Sequence, residues 1–290
     1  MNFKIMKLNK NIKKINIINS HYNIKSNNNI NFFNSNDFDV KKNDYNKLIY
    51  LIMLSKKCKR YKDMVNFMVK LIKNNNENNK YFNSEQRKLF SETLKNSIEQ
   101  DKISLKIIKA YEAKERKKEN SSYLSYILEY KENVGRNYIQ LCQYYIEIID
   151  GYLIKSDNDE SSTVFYLKMK GDCYRWMLEY KEYNDENKSI INLTNYLYDR
   201  AKEICKNLKF IDNAKIALYL SLSLFYYENL QLYEEAIKIA NFAIENFEKE
   251  SNLLKNKINN KYNEYKEALD YYSILKENVL MWIKKYKDKK

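Results

Sequence analysis

The sequence predicts an all-α protein, and three observations lead to that fold class. The chain has 290 residues without proline and with only three glycines, so residues that break helices or form tight turns are scarce. Leu, Lys and Glu, which favour helices, are abundant. Apolar residues recur with helical spacing from Tyr45 onward, whereas an all-β fold would need the turn residues that this chain lacks. We therefore expect nine antiparallel helices in a layered bundle that forms an amphipathic groove.

The predicted helical domain covers residues 45–287. Breaks rich in Asn or acidic residues separate several of its helices, at Asn74–Asn79, Ser156–Asp159 and Asn184–Asn187. Ser84 precedes a polar turn of Glu, Gln and Arg and is the predicted N-cap of the third helix. The predicted helices are Tyr45–Cys58, Tyr61–Lys73, Ser84–Lys117, Ser121–Ile154, Glu160–Tyr180, Lys188–Asn207, Asn213–Glu228, Leu232–Glu250 and Asn256–Lys287.

A repeat architecture is the alternative to a single bundle. Leu232–Phe247 has the spacing of small and aromatic residues that is typical of a tetratricopeptide helix. The pattern does not return elsewhere in the chain at the period of about 34 residues that such repeats have. An array of helix hairpins is therefore the weaker interpretation.

The first 44 residues differ in composition from the rest of the chain. They are rich in Asn and Lys and have no helical periodicity, which predicts a disordered N-terminal extension over residues 1–44. A mitochondrial-type presequence is the alternative, because no acidic residue precedes Asp37. The segment contains no arginine, which argues against such a presequence, and it has no continuous apolar core of a secretory signal.

The formal net charge of +14 lies mostly near the two ends of the chain. Residues 1–44 carry eight lysines and three aspartates, and residues 283–290 carry five lysines and one aspartate. Basic proteins bind nucleic acids, anionic membranes or acidic peptides, but solvated surface lysines account for this charge as well. No RNA- or DNA-binding motif accompanies the charge, so a nucleic-acid partner is not expected.

Nothing in the sequence predicts a metal, a cofactor or a catalytic site. Cys58, Cys142, Cys173 and Cys205 are scattered without a CxxC pair, and His21 is the single histidine. Such cysteines are typical of reduced, buried thiols in an intracellular protein. The sequence contains no glycine-rich phosphate loop and no nucleophile elbow. The longest apolar run has about twelve residues, which is too short for a membrane span.

The stretch Phe165–Glu179 is the most distinctive part of the sequence. It reads FYLKMKGDCYRWMLE and resembles a signature helix of the 14-3-3 family. The residues that carry this resemblance are Lys168, Gly171, Asp172, Tyr174, Arg175 and Glu179. The similarity extends over roughly residues 45–284 and is strong again at Phe225–Glu228 and at Asn278 with Trp282. It implies an adaptor that binds phosphoserine or phosphothreonine segments of other proteins in an amphipathic groove, and not an enzyme.

The resemblance also implies the ligands of the phosphate group. It assigns phosphate binding to Lys95, Lys102, Arg175 and Trp176, and support of the pocket to Lys168, Asp172 and Glu228. Two of these ligands depart from the family pattern, which has an arginine at Lys102 and a tyrosine at Trp176. Lysine cannot bind phosphate bidentately, and an indole donates one hydrogen bond from a different place. Asp101 replaces a further basic residue, so the pocket is expected to be weaker.

A groove around this pocket is likewise implied by the resemblance. Asn278 and Ser221 correspond to two asparagines that hold the backbone of the bound peptide, and serine is the shorter of the two residue types. The apolar wall is assigned to Leu220, Leu224, Ile274 and Met281. Glu92 replaces an apolar wall residue, and Asp270 and Tyr271 change the far end of the groove. The wall is more acidic than in the family, which predicts basic peptides as ligands.

The resemblance further implies a dimer formed through the first four helices. Arg60 and Asp63 correspond to charged interface residues, but Asn137 and Asn133 stand where the family has their partners of opposite charge. Losing two surface ion pairs need not dissolve a dimer, because such pairs contribute little. The chain ends in a basic segment where family members are acidic, so autoinhibition by an acidic tail is not expected.

Two functions follow from these residues. The first is an adaptor, as a homodimer or heterodimer, whose partners are phosphorylated proteins or peptides. The second keeps the fold but binds unphosphorylated acidic or amphipathic partners, because Lys102, Trp176 and Ser221 weaken the pocket. The expected location is the cytoplasm, with the nucleus as a second compartment and targeting to an organelle as the less favoured alternative.

Overall fold

The computed structural model describes residues 45–118, 121–155, 158–180, 185–254 and 262–287. This part of the chain contains nine α-helices and no strand, so the all-α prediction is confirmed. The helices are α1 (Tyr45–Lys57), α2 (Tyr61–Glu77), α3 (Ser84–Glu115), α4 (Leu124–Ile148), α5 (Glu160–Tyr180), α6 (Asp185–Ile204), α7 (Asn213–Leu224), α8 (Tyr233–Leu254) and α9 (Tyr262–Lys287). The predicted extension over residues 1–44 lies outside the described residues.

The break after the second helix is shorter than the sequence predicts. The helix α2 continues through three asparagines to Glu77, and Asn75 is buried in the core. The side chain of Asn78 donates a hydrogen bond to the backbone oxygen of Asn74 at 2.7 Å, and Asn79 follows with φ 52°. Asparagine tolerates this left-handed conformation better than most residues, so the helix ends there rather than at the first asparagine.

The N-terminus of α3 begins with a different cap from the predicted one. The prediction that Ser84 is the N-cap is wrong, because Asn83 occupies that position and Ser84 is the first helical residue. The Oδ1 atom of Asn83 accepts from the backbone N–H of Gln86 at 2.9 Å. The Oε1 atom of Gln86 accepts from the backbone N–H of Asn83 at 2.8 Å. This reciprocal capping box satisfies two backbone donors at the start of the helix.

Helices that follow each other in sequence pack as neighbours, and this order builds the layers. The helix α1 packs on α2, α3 on α4, α5 on α6, and α8 on both α7 and α9. The central helix α5 contacts α4, α6 and α7, and most of its side chains are buried. Ala236, Ala240 and Ala243 let α8 approach the cluster around Leu275 and Trp282. Because α7 also contacts α9, these three helices pack together as one layer.

Four of these helices line a common groove. A cavity of ≈ 80 Å³ at one end of it has walls from Lys88 of α3, Lys168 of α5, Ala217 of α7 and Tyr271 of α9. The predicted amphipathic groove therefore has a physical counterpart between α3, α5, α7 and α9. None of the helices in the described ranges is long and apolar enough to cross a membrane.

The close approach of α5 and α6 depends on the missing side chain of Gly171. A Cβ atom at this position would lie 2.4 Å from Cε1 of Tyr198, whose ring is fully buried. We expect Gly171→Ala to lower the free energy of unfolding by about 1–3 kcal/mol, although alanine favours helices, because the core is already filled. Urea denaturation measures this difference. Gly151→Ala is the control, since a Cβ atom there has no neighbour within 4 Å. Equal midpoints for the two variants would contradict the proposed overpacking.

Candidate functional site

The helix α5 presents a ladder of charged side chains along one face. Lys168, Asp172, Arg175 and Glu179 are spaced by four, three and four residues, which places them on the same side of a helix. The first three side chains are buried, at 4%, 2% and 6% exposure. Charged groups are buried this deeply only when they are paired and hydrogen-bonded, so the ladder must be held by specific partners.

Asp172 is the centre of this ladder. Its Oδ2 atom lies 2.8 Å from Nζ of Lys168, and its Oδ1 atom accepts a hydrogen bond from the hydroxyl of Tyr198 at 2.8 Å. Burial alone would raise the pKa of Asp172, but the positive charges of Lys168 and Arg175 bring it below its ordinary value. Burial likewise opposes the charge of Lys168, and Asp172 outweighs it and raises the pKa of the lysine. The pair is therefore ionised inside the protein.

Arg175 extends the cluster toward two glutamates. Its Nη1 atom lies 3.3 Å from Oε1 of Glu179 and 3.1 Å from Oε2 of Glu228 on the turn after α7. Its Nε atom lies 4.0 Å from Oδ1 of Asp172 and hydrogen-bonds to no group in the described ranges. Burial by itself would lower the pKa of Arg175, but Tyr198 and the three carboxylates raise it. The guanidinium thus lies among three carboxylates, and its buried Nε–H has no acceptor among the described residues.

Lys102 joins the same cluster from α3. Its Nζ atom lies 2.9 Å from Oε2 of Glu179, so this carboxylate is shared by cations of two helices. Glu179 is part of the signature Phe165–Glu179, but the sequence did not predict that it joins cations of two helices. Its separation of four residues from Arg175 indicates the pair within α5, but no spacing in the sequence indicates the contact with Lys102.

Lys95 occupies the same face of α3, seven residues before Lys102, at a separation of about 10 Å along the helix axis. Its side chain is exposed, and it forms no hydrogen bond or ion pair with another described residue. Desolvation of its ammonium group lowers the pKa of Lys95, and the like charge of Lys168 adds to that effect. Asp172, Glu267 and Glu92 act in the opposite direction. Lys95 is thus a cation that borders the cluster without being neutralised by direct contact.

Trp176 is a buried aromatic residue, unlike the other predicted phosphate ligands, which are cations. Its side chain is 6% exposed, and the guanidinium carbon of Arg175 lies 5.8 Å from the centre of its ring. At that distance the indole contributes a cation–π contact to the arginine. Its role as a phosphate ligand stays a prediction.

The predicted groove wall divides into buried and exposed residues. Leu220 and Ser221 of α7 are buried, and Leu220 packs into the cluster between α7, α8 and α9. Ile274 and Met281 of α9 expose large apolar side chains, at 42% and 44%. The half-buried residues of the wall are Leu224 and Asn278. The exposed apolar surface of the wall therefore comes mainly from α9.

A cavity of ≈ 430 Å³ opens beside the charged cluster. Its polar lining includes Lys102, Lys106, Glu179 and Glu228, and its apolar lining includes Ile191. The cavity thus places open space beside two cations, Lys102 and Lys106, and beside the two glutamates that contact Arg175. The described residues contain no group of three His, Cys, Asp or Glu side chains that could hold a metal ion.

The predicted dimer residues contact each other within one chain. The Nε atom of Arg60 donates to Oδ2 of Asp63, three residues later at the start of α2. Arg60 and Asp63 therefore neutralise each other, although Asn133 and Asn137 provide no charged partner for them.

Comparison with known proteins identifies the family of this chain. A family model described as 14-3-3 protein matches residues 51–283. The chain belongs to the 14-3-3 family. The 14-3-3 protein 10 of Solanum lycopersicum is 31% identical over 235 residues, which cover 81% of this chain and 90% of that protein. The 14-3-3-like protein B of Glycine max is 30% identical over 241 residues, covering 83% and 94% of the two chains.

Membership of the 14-3-3 family bears on two of the sequence interpretations. The family match includes Leu232–Phe247, so a tetratricopeptide array is not favoured for that segment. Membership also supports an adaptor or scaffold role with protein partners.

Proposed function

We propose that the helical domain, residues 45–287, binds phosphoserine- or phosphothreonine-containing segments of partner proteins in the groove between α3, α5, α7 and α9. The observation that carries this proposal is the convergence of Lys102 from α3 and Arg175 from α5 on Glu179. A phosphate group has a charge near −2 and three acceptor oxygens, so it requires cations from more than one direction.

The charge balance of the cluster favours an anion. Lys102, Lys168 and Arg175 are each paired with a carboxylate of the cluster, whereas Lys95 is a fourth cation without a direct ion-pair partner among the described residues. Asp172, Glu179 and Glu228 hold the three paired cations in place before a ligand arrives, which reduces the entropy lost on binding. Lys102 provides a point charge rather than a fork, so we expect weaker binding than an arginine would give.

The remaining groove residues receive the peptide on either side of the phosphate. Asn278 is half-buried on α9 and provides an amide for the peptide backbone, with the hydroxyl of Ser221 as the second donor. Ile274 and Met281 supply exposed apolar surface for the flanking side chains. Such a groove fixes an extended segment by its backbone and selects it by its phosphate.

We also propose that the protein is a dimer that joins the surfaces of the first four helices. The helices α1, α3 and α4 expose large apolar residues, which are Met53, Leu54, Ile103, Ile107, Tyr111 and Tyr130. Burial of this surface would hold two copies together without the charge pairs that Asn133 and Asn137 have replaced. Each dimer would carry two grooves, and bivalent partners would bind with higher avidity.

Fluorescence anisotropy with a basic phosphoserine peptide and its unphosphorylated twin tests the proposed function. We expect the phosphorylated peptide to bind at least about tenfold more tightly, since hydrogen bonds to charged groups contribute about 1.5–3 kcal/mol. Lys95→Gln should remove most of that preference, because Lys95 has no direct ion-pair partner and its loss leaves the packing intact. Lys266→Gln, at an exposed residue of α9, is the matched control.

Equal binding of both peptides to the native protein would contradict a phosphate-binding role. That result would favour a scaffold for unphosphorylated partners, in which Glu179 and Glu228 neutralise Lys102 and Arg175 permanently.

A further inference from the structure

A buried hydroxyl without a hydrogen bond lies behind the charged cluster. Tyr138 of α4 is 1% exposed, and its hydroxyl forms no hydrogen bond with another described residue. Moving a hydroxyl out of water without giving it a partner costs free energy, whereas a phenylalanine of the same shape would avoid that cost. The packing of the core therefore does not explain why this residue carries a hydroxyl.

Contacts between α4 and α5 give the register in which the two helices pack. A Cβ atom at Gly135 of α4 would overlap the ring of Tyr180 of α5, so these two positions touch. Cys142, seven residues later on α4, acts electrostatically on the thiol of Cys173, seven residues earlier on α5. The two helices are therefore antiparallel, and their residue numbers change by equal amounts in opposite directions.

This register places Tyr138 beside two members of the charged cluster. Three residues after Gly135, it lies level with Met177, which is midway between Arg175 and Glu179. Both of these charged side chains act on the Tyr138 hydroxyl. Burial raises the pKa of Tyr138, the negative charge of Glu179 adds to that effect, and Arg175 opposes it. The hydroxyl therefore remains protonated near neutral pH, as a donor that can serve a carboxylate.

Glu179 is fixed through its backbone, whereas its carboxylate is held less firmly. Its backbone oxygen accepts a hydrogen bond from Nζ of Lys109 at 2.7 Å, which ties the end of α5 to α3. Its carboxylate lies 2.9 Å from Nζ of Lys102 but 3.3 Å from Nη1 of Arg175, and the second distance is long for a charge-assisted bond. A phosphate dianion at these two cations would compete for their donors and repel the carboxylate. The carboxylate then needs another donor nearby.

We propose that Tyr138 is a positioning residue for phosphate binding, whose hydroxyl donates to the carboxylate of Glu179 when a phosphate group occupies Lys102 and Arg175. This inference rests on the proposed function. The exchange leaves the two cations with the phosphate and gives the displaced carboxylate a hydrogen bond in place of its ion pairs. An unphosphorylated segment does not displace the carboxylate, so the hydroxyl contributes only to the binding of phosphorylated segments.

Tyr138→Phe tests this role in the full chain, with a phosphoserine peptide and its unphosphorylated twin in fluorescence anisotropy. We expect the affinity for the phosphorylated peptide to fall about tenfold, since one hydrogen bond to a charged group is lost, and the affinity for the twin to be kept. Urea denaturation provides a second readout, because the variant loses a hydroxyl that has no partner. Its unfolding midpoint should equal or exceed that of the native protein, whereas loss of a structural hydrogen bond would lower the midpoint.

Two further variants locate the effect. In a Glu179→Gln background there is no carboxylate for the phosphate to repel, so Tyr138→Phe should change the affinity for the phosphorylated peptide by less than about twofold. Tyr145→Phe is the matched control on the same helix. It removes a buried hydroxyl that accepts a hydrogen bond from Ser97 at 3.5 Å, and it should keep the ratio of the two peptide affinities.

Three results would overturn the proposal. They are an unchanged phosphate preference in Tyr138→Phe, equal losses for both peptides with a lower unfolding midpoint, and a tenfold loss that persists in the Glu179→Gln background. Failure of the proposed function gives a different result, since the native protein would then bind both peptides equally. In that case no phosphate displaces Glu179, and the role of Tyr138 is overturned with it.

Discussion

Replacing Asp172 with alanine is expected to lower the free energy of unfolding by about 3–5 kcal/mol. The carboxylate lies 2.8 Å from the buried ammonium of Lys168 and accepts the hydroxyl of Tyr198, which is itself fully buried. Its removal leaves a buried cation without a partner and a buried donor without an acceptor, and both penalties fall on the helix that contacts α4, α6 and α7. Urea denaturation followed by circular dichroism measures the change.

Two further variants separate the charge of Asp172 from its hydrogen bond. Asp172→Asn retains an acceptor for Tyr198 and is expected to lose less than alanine. Asp199→Ala removes an exposed carboxylate of α6, 3.9 Å from Lys202, and should change stability by less than about 0.5 kcal/mol. Similar losses for Asp172→Ala and Asp199→Ala would show that the buried pair contributes no more to the free energy of unfolding than an exposed pair does.

The effect of Asp172 also has a defined pH dependence. The pKa of this carboxyl in the folded protein is below its ordinary value, so the unfolded chain binds the proton more tightly. The stabilisation is present above the unfolded pKa of about 3.9 and is lost as pH falls through the lower pKa of the folded state. The difference in stability between the native protein and Asp172→Asn should therefore be constant near neutral pH and shrink in acid.

The helical architecture could be predicted because periodicity and the absence of breakers act over many residues. Five predicted helix starts, including Tyr45, Glu160 and Asn213, coincide with the structure. The ends were less predictable, because adjacent residues compete for the same role. Asn83 and Ser84 are both good caps, and only the reciprocal contact with Gln86 decides between them.

The charged site was predictable only where its geometry follows from a single helix. Spacing places Lys95 and Lys102 on one face of α3, and Asp172 and Arg175 on one face of α5. The connection between the two helices runs through Glu179, and no pattern within either helix reveals which carboxylate two cations will share. The wall residue Leu220 shows the converse case, since helical spacing cannot tell a groove residue from a core residue.

The ladder of α5 contains both a buried ion pair that stabilises the fold and the arginine that we propose as a phosphate ligand. Asp172 forms an ion pair with Lys168 and lies 4.0 Å from Nε of Arg175. The buried pair therefore also places a negative charge beside the arginine. Glu179 and Glu228 hold the other end of the guanidinium. A rigid arginine that is surrounded by carboxylates has little freedom to lose when a phosphate binds.

Arg175→Gln is consequently expected to weaken phosphopeptide binding by about a hundredfold and to leave the unphosphorylated twin unchanged. The substitution removes the buried cation between Glu179 and Glu228, so two carboxylates then face the phosphate with Lys102 as their nearest counter-charge. Fluorescence anisotropy with both peptides measures the loss, and circular dichroism establishes that the variant is folded.

Arg175→Lys distinguishes the charge of this residue from its shape. A lysine keeps the positive charge but cannot bridge two carboxylates and a phosphate with one planar fork, so an intermediate loss of about tenfold is expected. Arg136→Gln, at an exposed residue that pairs with Glu132 within α4, is the control and should bind both peptides as the native protein does. If Arg175→Gln retains the phosphate preference while folded, the cations of α3 alone select the phosphate, and the convergence on Glu179 serves only to join the two helices.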